Sequence, residues 1–316
     1  MNLSTVRLSA TLLVASCTAL AGVVAAGCSS SADEGNQPQS SNAAQTGDGG
    51  LGASSSGSGA DGAASQPEGP VKTGFVTLAQ TKQSSLVTYA ATAAFATSPR
   101  GNSGSEASCK VSTEGACQVT TCTMGTSDAG VSDAAAAGPT SESAGIVSLS
   151  GGKLASALQL TPGAQNAYAP ANGTSAAFAA GDSVKVSAAG ATVPAFEATA
   201  IAPGDITVTA PVFASFQTSF SKSKDLAVSW TGGAAGNVNV ALSTYGAKLV
   251  SVLCTFPANA GSGTVPAAAL TDLDPSGPLG ASISILPSVT STVTAGDYKV
   301  TYTLSGTGAA GTFTLK

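Results

Sequence analysis

The chain has 316 residues, with 12 lysines and arginines, 17 aspartates and glutamates, and no histidine. Charged residues make up 9% of it, against about 25% in an ordinary soluble domain. Without histidine the chain cannot form a Ser-His-Asp triad, a Cys-His pair or a histidine-ligated metal site. This absence removes many classes of enzyme, and we predict that the protein is not an enzyme and has no catalytic residues, no metal and no cofactor. A hydrolase that uses a Ser-Lys pair or two carboxylates is the remaining enzymatic alternative.

Residues 1–27 have the pattern of an export signal peptide. Arg7 supplies a positive charge, residues 8–24 are apolar or small, and Ala25-Ala26-Gly27-Cys28 follows. This ending resembles the lipobox of bacterial lipoproteins, although the family usually has leucine where Ala25 stands. The resemblance implies cleavage before Cys28, lipidation of the Cys28 thiol and attachment to a membrane through the acyl chains. Ser29, in the place where aspartate retains such proteins at the inner membrane, implies the outer membrane.

Two alternatives to lipidation at Cys28 stay open. Val14-Ala15-Ser16-Cys17 is a second short match to the same motif, but cleavage there would leave the apolar run of residues 18–27 at the new N-terminus. The other alternative is ordinary secretion, in which Cys28 would be a structural cysteine.

Residues 28–70 predict a disordered tether. They are rich in serine, glycine and alanine, contain no aromatic residue, and include only one large aliphatic side chain, Leu51. A flexible chain of this length has an end-to-end distance of about 35–40 Å. The tether holds five acidic residues and no basic one, which leaves residues 71–316 nearly neutral, with 11 basic and 12 acidic residues. We expect no binding of nucleic acid, because that requires a basic surface.

Residues 71–316, which we call the body, predict an all-β fold. Apolar residues alternate with polar or small ones, as from Val87 to Phe95, and glycine or proline recurs every 8–12 residues. We predict two β-sandwich domains, at residues 71–203 and 204–316. The second contains seven short alternating runs, a count that resembles an immunoglobulin-like sandwich.

Two aromatic residues of the second predicted domain have specific expectations. Ala295-Gly296-Asp297-Tyr298 resembles a tyrosine corner, in which the Tyr298 hydroxyl would bond back to the backbone. Trp230 alternates with the core face of its strand, which favours burial over a role as a sugar-binding platform.

Three segments of the body also resemble alanine- and glycine-rich lipoproteins of myxobacteria that have no known activity. The resemblance rests on Gly115-Ala116-Cys117-Gln118-Val119-Thr120-Thr121-Cys122, on residues 225–233, and on Cys254-Thr255-Phe256-Pro257. It implies a lipoprotein with β-sandwich domains, and it brings no catalytic residues with it because the group has no known activity.

After cleavage at Cys28, four cysteines remain: Cys109, Cys117, Cys122 and Cys254. An even number in an exported chain predicts two disulfides, and three pairings are possible. Cys117 and Cys122 are five residues apart in one predicted strand, so they point to opposite faces and should not bond to each other. We favour Cys109–Cys117 and Cys122–Cys254, the second of which would join the two predicted sandwiches.

The remaining motifs indicate no specific chemistry. Three Ser-x-x-Lys matches begin at Ser150, Ser219 and Ser221, which is about the number that chance predicts for a chain this rich in serine. Asp272 to Gly277 favours a turn, with a calcium loop as the alternative.

These patterns together predict a palmitoylated, lipid-anchored protein of the bacterial outer membrane that extends to the cell surface or the periplasm. We expect a non-enzymatic structural, adhesive or display role, with an unidentified protein or polysaccharide partner. The alternative is a lipoprotein that binds a carbohydrate or another ligand.

Overall fold

The computed structural model describes residues 69–83, 85–98, 107–124, 139–246, 248–275 and 280–316. Strands make up most of this backbone, which confirms the all-β prediction. No helix within these ranges has the length and apolar character to cross a membrane. The signal peptide, Cys17, Cys28 and nearly all of the tether lie outside the described residues.

Nineteen strands and one short α-helix are described. In chain order the strands are β1 Val71–Gln83, β2 Leu86–Ser98, β3 Ala107–Glu114, β4 Cys117–Met124, β5 Thr140–Ser141, β6 Val147–Gly151, β7 Leu158–Leu160, β8 Ala171–Gly173, β9 Ser183–Ala188, β10 Phe196–Ile201, β11 Ile206–Ala210, β12 Gln217–Phe220, β13 Leu226–Gly232, β14 Asn237–Tyr245, β15 Lys248–Pro257, β16 Ser262–Val265, β17 Ala281–Ala295, β18 Tyr298–Ser305 and β19 Ala309–Leu315. The helix α1 is Ala267–Leu270, and two 3₁₀ turns cover Ala164–Asn166 and Ala258–Ala260.

The strands form three sheets. The largest has twelve strands, nine of them in the order β3-β4-β15-β14-β17-β18-β1-β2-β5, with β8 beside β2 and β12 beside β19, which also pairs with β17. The second sheet is β10-β9-β6-β7 and the third is β11-β13-β16. Two pairs are parallel, β1 with β18 and β12 with β19, and the other described pairs are antiparallel.

Two hydrophobic cores lie along the large sheet. In the first core, β1, β2 and β18 contribute buried residues together with the four-stranded sheet. In the second core, β4, β14, β15 and the start of β17 contribute buried residues together with the three-stranded sheet. The longer contributing strands bury alternate residues, as β14 does with Val238, Val240 and Leu242. This alternation is the period-two pattern on which the strand predictions depended.

The cores do not divide the chain at the predicted boundary between residues 203 and 204. Cys117 and Val119 of β4 belong to the second core, and Tyr298 to Leu304 of β18 belong to the first. The prediction assumed that sandwich domains use consecutive segments. Alternation identifies the buried face of a strand, but it does not indicate which sheet receives the strand.

Strand β17 takes part in both cores. Residues 281–288 pair with β14, whereas residues 288–295 pair with β18. Ile283 and Ile285 are buried in the second core, and Ala295 is buried in the first. One continuous strand of 15 residues therefore links the two cores through its backbone hydrogen bonds.

A close contact between β1 and β2 shows why one glycine of the first core is needed. Gly74 lies opposite Phe95, and a Cβ atom at Gly74 would lie 2.5 Å from Cδ1 of Phe95. The Phe95 ring covers the glycine and packs against the rings of Tyr168 and Phe196. A larger residue at position 74 would displace this aromatic cluster from the core.

Candidate functional site

The four cysteines of the body form two disulfides across three adjacent strands. Cys109–Cys122 joins β3 to β4, and Cys117–Cys254 joins β4 to β15. The prediction that all four cysteines are paired is confirmed, but the predicted pairing is wrong. Cys117–Cys254 lies within the second core, so it does not join the two cores as expected.

Strand register explains the observed pairing. Cys109 lies directly opposite Cys122 in the β3–β4 hairpin, and Cys117 lies directly opposite Cys254 in the β15–β4 pair. Cys117 and Cys122 use different neighbouring strands, in agreement with the prediction that they do not bond to each other. The predicted Cys109–Cys117 bond does not form, because Cys117 starts the return strand opposite Glu114.

The same three strands form one side of a polar groove with a volume of about 320 Å³. This volume lies near the lower end of the range of about 300–1,000 Å³ that is typical of small-molecule sites. We call the contributing surface of β3, β4 and β15 the floor of the groove. The lining residues are Lys110, Ser112, Thr121, Thr123 and Lys248 on the floor and Asp272 on the opposite wall.

The wall is held in place by buried residues on either side of Asp272. Helix α1 contacts β3 and β4, and its last residue, Leu270, is fully buried in the second core. Leu273 is also buried, and its N–H donates to the Leu270 carbonyl at 3.2 Å. The N–H of Asp274 donates to the hydroxyl of buried Thr244 at 3.3 Å. Asp272 is therefore an exposed carboxylate on an anchored turn.

The groove carries two cations, three hydroxyl groups and one carboxylate. Its formal charge is +1, on a body whose total is close to zero. The ion pairs found within the described ranges lie elsewhere, at Lys72–Asp297 and Lys185–Glu197. These side chains can form charge pairs and hydrogen bonds with a ligand that has both anionic and hydroxyl groups.

Sequence reasoning identified none of the groove residues as a site. Lys110 and Lys248 are far apart in the chain, and Asp272 was considered only as part of a turn or a calcium loop. In the structure Asp272 follows α1, while residues 276–279 lie outside the described residues. Within the described ranges, no group of three or more histidine, cysteine, aspartate or glutamate residues is placed to hold a metal ion.

The structure also places the other residues that the sequence singled out. Trp230 is buried as predicted, and its Nε1 donates to the Ala258 carbonyl at 2.8 Å. The tyrosine-corner prediction is wrong, because the Tyr298 hydroxyl contacts Thr97 Oγ1 at 3.1 Å rather than a backbone group. Among the Ser-x-x-Lys matches, Ser150 lies in β6 and Ser219 in β12, so neither begins a helix.

One buried polar group was not anticipated from the sequence. Tyr302 of β18 is fully buried in the first core, and its hydroxyl has no hydrogen-bond partner in the described part of the chain. Burial raises the pKa of this hydroxyl above its usual value near 10. The sequence showed only that Tyr302 shares a face with Val300 and Leu304.

Replacing Tyr302 with phenylalanine is expected to keep or increase stability at pH 7 and to reduce its loss at alkaline pH. Because the pKa of Tyr302 is raised in the folded protein, the unfolded chain loses the Tyr302 proton at a lower pH than the folded protein does. The contribution of this group to the free energy of unfolding is therefore complete below pH ~10 and decreases above it. Urea unfolding at pH 7, 9 and 10.5, followed by circular dichroism, measures both effects. Tyr168→Phe is the control, because its hydroxyl accepts from Ala144 N–H and donates to the Gly145 carbonyl. Equal destabilisation of both variants at pH 7 would contradict this expectation.

Comparison with protein-family models and with curated proteins found no match to this chain.

Proposed function

We propose that this protein is a lipid-anchored component of the bacterial cell envelope with a non-enzymatic structural, adhesive or display role. In this proposal Cys28 carries the acyl chains in the outer membrane, and the tether of residues 28–70 holds the body away from the membrane surface. The body then binds a protein or polysaccharide partner.

The observation that carries the proposal is the disulfide-bonded body that follows a polar, low-complexity segment. Two disulfides are typical of proteins in an oxidising compartment outside the cytoplasm. The composition of the tether cannot bury enough apolar surface to fold alone, so it is suited to act as a spacer. A stable body on a spacer supports presentation to a partner.

The second candidate, a ligand-binding lipoprotein, is favoured by the groove above β3, β4 and β15. The groove places cations, hydroxyls and a carboxylate around one volume. The two candidates share the anchor and the tether, and they differ in whether a defined ligand occupies the groove.

Changing Cys28 to alanine is expected to move the protein from the membrane fraction to the soluble fraction, since the thiol that accepts the lipid is lost. The measurement is fractionation of cells followed by detection of the body. Cys17→Ala is the matched control and should leave the protein in the membrane. If the Cys28→Ala protein stays in the membrane fraction, the prediction of lipidation at Cys28 is wrong. Release of the Cys17→Ala protein alone would assign the lipid anchor to Cys17.

Protease treatment of intact cells distinguishes the display role from a periplasmic one. Peptides of residues 71–316 released from unbroken cells would support display at the surface. Recovery of these peptides only after lysis would contradict display and would favour a role within the envelope.

A further inference from the structure

Both disulfides of the described chain lie in the strands that form the floor of the groove. Lys110 follows Cys109 in β3, and Thr121 and Thr123 flank Cys122 in β4. The second disulfide ties β4 to β15, the strand that carries Lys248. Each of the two strand pairs in the floor is therefore covalently linked. Such cross-links hold binding groups in place before a ligand arrives, which reduces the entropy lost on binding.

Register places the charged and hydroxyl groups of the floor in a defined order. Lys110 lies opposite Thr121, and Lys248 lies opposite Thr123. The two threonines thus stand on the central strand with a lysine on each side. With neighbouring strands about 4.8 Å apart, the two outer strands are separated by about 10 Å. Two anionic groups of one extended ligand can therefore be bound at the same time.

The carboxylate on the wall restricts the class of ligand. Asp272 can accept hydrogen bonds only, so it favours a ligand with neutral hydroxyl donors and disfavours a densely charged anion. Inorganic polyphosphate supplies charge for the lysines but no neutral hydroxyl for Asp272. A neutral sugar supplies hydroxyls but leaves both lysines without a charged partner.

We propose that the groove binds a segment of a carboxylate-bearing polysaccharide, that is, a chain of uronic acid units. Its carboxylates pair with Lys110 and Lys248, and its ring hydroxyls bond with Asp272 and with the hydroxyls of the floor. This inference deepens the ligand-binding candidate and rests on it, but it does not depend on the lipid anchor or on the side of the membrane that the body occupies.

The first test uses the purified full chain and polygalacturonate as the probe, with neutral dextran and inorganic polyphosphate as comparisons. Titration calorimetry should detect binding of polygalacturonate that weakens as salt is raised, and no binding of dextran. Lys110→Ala combined with Lys248→Ala should lower the affinity at least fivefold. The matched control is Lys222→Ala with Lys224→Ala, which removes the same charge from exposed positions outside the groove and should change affinity less than twofold.

Asp272→Ala separates recognition of a sugar from general attraction of anions. If Asp272 accepts hydrogen bonds from ring hydroxyls, its loss weakens polygalacturonate binding several-fold. Three outcomes would each overturn the proposal. Asp272→Ala could bind polygalacturonate more tightly, or the unmodified protein could bind polyphosphate more tightly than polygalacturonate. The third outcome is an equal loss of affinity in the two double-lysine variants. Because the probes are soluble, failure here leaves the result of the Cys28 fractionation unaffected.

Discussion

Changing both Cys117 and Cys254 to alanine is expected to lower the free energy of unfolding by about 5 kcal/mol. The two residues are separated by 137 positions in the chain, so their bond closes a long loop and greatly restricts the unfolded state. Both side chains are also buried in the second core, where alanine fills less space. Denaturant unfolding of the purified protein, followed by circular dichroism, measures the change.

The matched control for this variant removes the other bond, by Cys109→Ala with Cys122→Ala. That bond spans a separation of only 13 residues, and its loss is expected to cost about 3 kcal/mol. A larger loss from the control than from the Cys117–Cys254 pair would contradict the ranking. Peptide mapping under non-reducing conditions should also recover each bond intact when the other has been removed.

The second large effect is expected from Leu304→Ala. Leu304 is fully buried in the first core, and truncation of such a residue costs about 2–5 kcal/mol. The single tryptophan, Trp230, lies in the second core. Strand β17 pairs with a strand of each core. Strand β4, which comes early in the chain, belongs to the second core, and β18, which comes late, belongs to the first. We therefore expect the two cores to unfold together. The unfolding transition followed by Trp230 fluorescence should therefore show the full loss of free energy of unfolding caused by Leu304→Ala in the first core.

Leu242→Ala provides the comparison, since Leu242 is equally buried but lies in the second core with Trp230. Both variants should shift the fluorescence and circular dichroism transitions together. A Leu304→Ala protein that unfolds in two steps, with the fluorescence midpoint unchanged, would show that the cores are independent.

Local features of the chain allowed most of the strands to be predicted. Alternation of apolar residues is set by the pleat, so the run from Val87 to Phe95 was correctly assigned to a strand, which is β2. Burial of Trp230 followed from the same pattern. None of these inferences needs information about the strand that lies alongside.

Features that depend on pairing between distant segments could not be predicted. The disulfides follow from the registers of β3 with β4 and of β4 with β15, and the sequence does not encode these registers in a local signal. The same limit applies to the groove, where Lys110, Lys248 and Asp272 meet only because β15 pairs with β4 and α1 contacts both β3 and β4. The opposite faces of Cys117 and Cys122 excluded one pairing, but they did not distinguish between the two that remained.

The position of β1 has a mechanical consequence for a body held by its N-terminal end. Strand β1 begins at Val71, directly after the tether, and lies between β2 and β18, with β18 parallel to it. Tension directed along the axis of β1 would act nearly perpendicular to its hydrogen bonds with antiparallel β2 and at a slant to its bonds with parallel β18. Those bonds would be sheared on both sides together rather than opened one after another. A pull applied through the N-terminal end of the body would therefore meet collective resistance from the strand pairs on both sides of β1.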